Sequence, residues 1–205
     1  MQQSLDSSKG TQSATNQLDS SLEVTYQMSD EWKKRIAIAY MVKQKISEVD
    51  VDGLWSFQYP ELAASEGQIV EAEAAMHYRL PLDFREFLKC ADGWNQFYQR
   101  VDLFGTNDLK GSDRMERALE MVQWLIEDGS WEGTANELLP IAVSIDDNTL
   151  FCLTTEANNA KDRVLWFSGR LVESFESFTE FFLAICDYNR LEVQNLINEH
   201  PSEGK

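Results

Sequence analysis

Histidine is scarce in this chain. His77 and His200 are the only two among 205 residues, one near the end of an expected helix and the other in the tail. Catalysis needs a poised group in a cleft, and neither position offers one. No Gly-x-Ser-x-Gly nucleophile elbow occurs, nor a glycine loop of the kind that cradles phosphates. Cysteine is also sparse. Cys90, Cys152 and Cys186 are odd in number, far apart and set in apolar runs, without zinc-ligand spacing. That excludes a disulfide framework and points to buried thiols in a reducing compartment. No apolar run approaches the length of about 18 residues that a membrane span requires. The N-terminus lacks the apolar core of a secretory signal. The expectation is a cytoplasmic, non-enzymatic chain with no cofactor and no metal. No internal repeat is visible.

Positive charge is the other shortage. Eighteen Lys and Arg face thirty-five Asp and Glu, for a net charge of −17. Such a chain repels nucleic-acid phosphates and anionic lipid head groups and attracts basic partners. The acids are not spread evenly. Residues 101–147 hold eleven acids against Lys110, Arg114 and Arg117, a local balance of −8. This segment is expected to offer a surface to a basic protein, although an acidic surface can also serve solubility alone. Asp146-Asp147-Asn148 reads as a solvated turn, since it lacks the ligand spacing of a calcium loop.

What remains is ordinary for one folded domain. Hydrophobic residues make up 43% and charged residues 26%, with six Trp and eleven Phe to fill a core. Residues 1–28, rich in Ser, Gln, Thr and Asn, read as a flexible N-terminal arm. A helix is expected from Ser29-Asp30, with Trp32, Ile36, Ala39, Tyr40 and Ile46 as its apolar stripe. An aromatic connector, Leu54 to Pro60, leads to a second helix over roughly 65–78. Residues 94–104 read as loop then strand. Ser112-Asp113 opens a further helix with Met115, Leu119, Val122 and Ile126 on one side, and Asp113 and Glu116 at capping-box spacing. Ile141, Val143 and Ile145 alternate as a half-buried strand does. Strands at 150–153 and 163–167 follow, then a hairpin at Ser168-Gly169. Ser177 and Glu180 cap a last helix striped with Phe178, Phe181, Phe182 and Ile185. Helices, then strands, then helices give an α+β fold: an antiparallel sheet of about four to six strands packed against several helices in a single domain.

The chain is organised around Leu80 to Gly93. Pro81 suits a helix start, and Phe84, Phe87, Leu88 and Ala91 fall at helical spacing. Asp92-Gly93 stops the run, with Gly93 free to turn left-handed. A short helix entered through Leu-Pro, carrying Phe-x-x-Phe-Leu and left through a glycine turn, resembles the N-terminal signature of the SUKH superfamily, the Smi/Knr type. Downstream, Leu139-Pro140-Ile141-Ala142, Val164-Leu165-Trp166-Phe167 and Ser174 to Leu183 follow in the order of that family's central sheet and closing helix. The resemblance covers roughly residues 62–188, with residues 29–200 as the domain and a helical insertion at about 112–129. It implies a non-catalytic binding protein. Bacterial members are implied to be immunity proteins that neutralise a toxin, often a basic nuclease. A regulatory scaffold of the Smi/Knr type, recruiting partners through the arm, is the alternative, and a hydrolase built on paired carboxylates is the second. Under the immunity reading Asp102, Asp108, Asp113, Asp146 and Asp147 supply the field, and Trp94 and Trp131 the aromatic anchors.

Overall fold

The computed structural model describes residues 9–155, 157–158 and 161–200, with side chains from Gln27 onward. Six strands form one antiparallel meander in the order β1 to β6: β1 (Trp94–Tyr98), β2 (Val101–Leu103), β3 (Leu138–Ser144), β4 (Thr149–Thr154), β5 (Val164–Ser168) and β6 (Leu171–Phe175). The helices are α1 (Lys9–Val49), α2 (Glu66–Met76), α3 (Leu82–Leu88), α4 (Thr106–Leu109), α5 (Asp113–Glu127) and α6 (Phe178–Glu199). This is the α+β architecture read from the sequence, at the upper end of the expected strand count.

Three local readings change. α1 runs unbroken through Ser29-Asp30, so those residues do not start a helix, and the expected arm is helical from Lys9 to Met28; its residues 1–8 lie outside the described residues. Trp94 to Phe97 is strand rather than loop. β1 and β2 form a tight hairpin through Gln99-Arg100, with Gln99 at φ 49°. The cap of α5 is Ser112, whose Oγ accepts from the Met115 N–H, one residue before the expected Asp113.

The sheet is covered on both sides. Phe151 and Trp166, cross-strand partners on β4 and β5, lie beneath α6, where they meet Phe181 and Tyr188 at centroid distances of 5.0 and 5.9 Å. Pleating turns the adjacent Phe167 to the opposite face. Trp131 meets it there edge-on at 6.0 Å, and the Trp131 N–H donates to the Leu125 carbonyl at the end of α5. So α5 covers one face and α6 the other. α1 and α3 stack on α6, away from the sheet. Trp32 of α1, fully buried, packs against Phe87, Phe178 and Phe182 at 5.2–5.6 Å and fixes α1 and α3 to the start of α6. Each such ring buries 150–250 Å², so this aromatic junction contributes heavily to the core.

A candidate partner-binding face on α5

A polar clamp lies beneath the first turn of α5. Asp102 on β2 and Asp108 on α4 are both buried, and Arg114 reaches back to them at 3.1 Å each. Its Nη1 also donates to Asn95 Oδ1 at 2.6 Å. Asp102 accepts from the Gln96 N–H at 2.8 Å, and Asp108 from Ser112 Oγ at 2.8 Å. Asp92 holds the neighbouring turn by accepting from the N–H and Oγ1 of Thr106. Gly105 lies so close that a Cβ there would overlap the carbonyl oxygen of Asp92. Asp102 and Asp108 are paired inside the fold, where the single charge of Arg114 offsets one of their two.

The expected site residues therefore part company. Asp102 and Asp108 face inward. Trp94 is fully buried, with its indole N–H donating to the Gln58 carbonyl at 2.9 Å, so it is a core residue that reaches no partner. Trp131 is half-buried and holds α5 to the sheet through Phe167. Asp113, Asp146 and Asp147 are exposed. Asp146 pairs with Arg100 at 2.6 Å, and Asp147 accepts from the Thr149 N–H at 2.8 Å.

The exposed trio lies beside residues that sequence reasoning passed over. The buried stripe of α5 is Met115, Ala118, Val122 and Leu125, while Leu119 is exposed and Ile126 only half-buried. That phase puts Asp113, Glu116, Glu120 and Glu127 together on the solvent side, at spacings of three, four and seven. Trp124, one turn beyond Glu120, is 45% exposed on the same side. A groove of about 430 Å³ opens there between α5 and the β3–β4 turn, lined by Arg117, Glu120, Met121, Trp124, Leu125 and Asn148. The turn is tied to the helix through Arg117, which donates to the Asp147 carbonyl at 3.4 Å, and is held by Ser144 Oγ accepting from the Asp146 and Asp147 N–H groups. A Trp on the polar side of an amphipathic helix was the available signal for this site. Among the described residues, no three His, Cys, Asp or Glu side chains converge to hold a metal ion, and no helix is long and apolar enough to cross a membrane.

The surface thus combines a rigid helix, a row of carboxylates and one exposed indole. Comparison with curated proteins gives no match. The model of the SMI1 / KNR4 family (SUKH-1) matches residues 63–184, a stretch that runs from just before α2 into α6 and includes α5 and the whole sheet. That match spans more than half of the 205 residues, and the chain belongs to the SMI1 / KNR4 family (SUKH-1).

Proposed function

We propose that this protein is a non-catalytic immunity protein that neutralises a basic toxin domain by covering it with the α5 face. The observation that carries this reading is the solvent side of α5, where Asp113, Glu116, Glu120 and Glu127 accompany the exposed Trp124. A nuclease must hold phosphates with cations, and an acidic cover can occupy the same cations. Opposed fields also speed encounter, with association rates up to roughly 10⁸–10⁹ M⁻¹s⁻¹ at low salt. Asp147 extends the field from the β3–β4 turn, where Asp146 is paired with Arg100. Trp131 acts from behind, by holding α5 in place.

The test is binding to, and protection of cells against, the product of the neighbouring gene. Trp124→Ala is expected to weaken binding tenfold or more, mainly through faster dissociation, in line with about 2 kcal/mol for an aromatic anchor. Glu116→Lys with Glu120→Lys is expected to slow association and abolish protection. Full affinity and protection in both variants would place the contact elsewhere. No binding by the unaltered chain would end the immunity reading.

A further inference from the structure

The opposite side of the molecule carries a second, apolar surface. A helix on a domain surface ordinarily has one apolar stripe, turned to the core. α1 has two. Trp32, Ile36, Ala39 and Ile46 are buried on one, and Ile38 and Met41 stand outside on another, with Met41 62% exposed. α6 repeats the pattern with Leu183 and Leu191 two turns apart on its outer side, Leu191 at 59% exposure. A groove of about 460 Å³ runs between these outer faces, lined by Ile38, Met41, Val42, Leu191 and Val193, with Lys45 and Arg190 at its rim. An apolar strip of this kind, edged by charge, marks an interaction site.

Charge selects the occupant. Residues 30–49 and α6 together hold six cations against seven acids, so this layer is nearly neutral in a chain of net charge −17. The rim cation Lys45 is paired within its own helix to Glu48 at 3.1 Å, and Arg190 is paired to Asp187. A basic partner finds no attraction here and a strong one at α5. A second copy of the chain, approaching back to back, covers both apolar stripes while the acids of each copy stay beyond its own sheet. We infer that the α1–α6 groove is the interface of a homodimer, in which two helix pairs pack as a four-helix layer and the α5 faces point outward in opposite directions. This stands whether or not the α5 face binds a toxin.

Sedimentation velocity of the full chain over a rising concentration series tests the inference. A species of twice the 23.6 kDa chain mass is expected. Met41→Glu and Leu191→Glu are each expected to raise the dimer dissociation constant at least tenfold with unchanged circular dichroism, while Trp124→Ala leaves dimerisation intact. Hydrogen exchange on the unaltered chain, dilute against concentrated, gives a readout that needs no variant to fold. Extra protection confined to α1 and α6 supports the interface. A chain that stays monomeric throughout, a dimer that survives the Met41→Glu/Leu191→Glu double variant, or protection appearing elsewhere would overturn it.

Discussion

Lys43 occupies the buried stripe of α1 with only 2% of its surface exposed, between Ala39 and Ile46. No carboxylate among the described residues is ion-paired with it, and burial alone pushes its pKa down to about 8. The unfolded chain therefore binds more protons than the folded one between pH 8 and about 10.5, and stability attributable to this site rises with pH across that window. Below pH 8 the charged ammonium is a standing cost of about 3 kcal/mol, at 1.36 kcal/mol for each pKa unit. Lys43→Met is thus expected to stabilise the protein at pH 7 by a few kcal/mol at most, and the gain should shrink toward zero near pH 10.5. Urea unfolding of both proteins at pH 7 and pH 10 checks this. Using the difference removes Tyr98 and Tyr188, whose pKa values are also raised, Tyr98 by burial and Tyr188 to about 12 by its hydrogen bond to Glu173. Lys43 also marks a limit of sequence reading at single positions. A lysine in an apolar stripe, or an aspartate such as Asp102 between Val101 and Leu103, carries no local sign of what meets it. Asp102 is inward because Arg114, twelve residues on, supplies its counter-charge. Trp94 is inward because β1 pairs with β2 and Pro60 bridges to it, contacts made far from its own turn.

Elements were more legible than residues, and for a physical reason. Hairpin turns and alternation are local, so β3 to β6 and the break at Gly169, with φ +70°, follow from neighbouring residues. α3 stops at Leu88 with Lys89 as its cap, short of the expected Asp92-Gly93. Gly93, at φ +94°, leads into β1 instead, and its own Cβ position is closed by the Gly105 and Leu103 backbone. Starts and phases were harder. Ser29-Asp30 has capping chemistry, yet nothing there breaks α1. On α5 the apolar residues allow two neighbouring stripes, and packing on β3 chose the one through Ala118 and Leu125 over Leu119 and Ile126. Arg114 ties the first turn of the helix to α4 and β2 in that phase. Arg114→Met is expected to cost about 2–3 kcal/mol, below the 3–5 of a fully buried pair because Arg114 is partly exposed. It should also weaken the proposed toxin contact by releasing α5 from its register, whereas Lys110→Met should change neither. Thermal unfolding together with hydrogen exchange across residues 113–127 separates the two variants. At the sheet edge, Val172 is an extra residue between the Trp166–Glu173 and Phe167–Leu171 pairs. Such a bulge discourages strand addition on β6.

At the scale of the whole molecule, the two proposed contacts respond oppositely to salt. Of the eleven acids in residues 101–147, Asp102 and Asp108 are buried against Arg114, and Glu137 is held by Thr134 and Asn158. The other eight are exposed, with Lys110 and Arg117 as the exposed cations of the same segment. The front therefore keeps most of the field that the composition implies. Bringing it against a basic partner joins opposite charges, so added salt weakens the complex. Bringing two backs together joins nearly neutral layers, but it also brings two bodies of charge −17 close to one another. That repulsion acts over the screening length, about 30 Å at 0.01 M salt and about 8 Å at 0.15 M. Raising salt across this range is expected to strengthen the dimer several-fold while it weakens toxin binding by a larger factor, mostly through slower association. Measured on one preparation, by sedimentation for the dimer and by stopped-flow for the complex, the two slopes should have opposite signs. A dimer that loosens with salt would mean that acids meet cations across its interface, which the α1–α6 layer with its helix-internal ion pairs is not arranged to do.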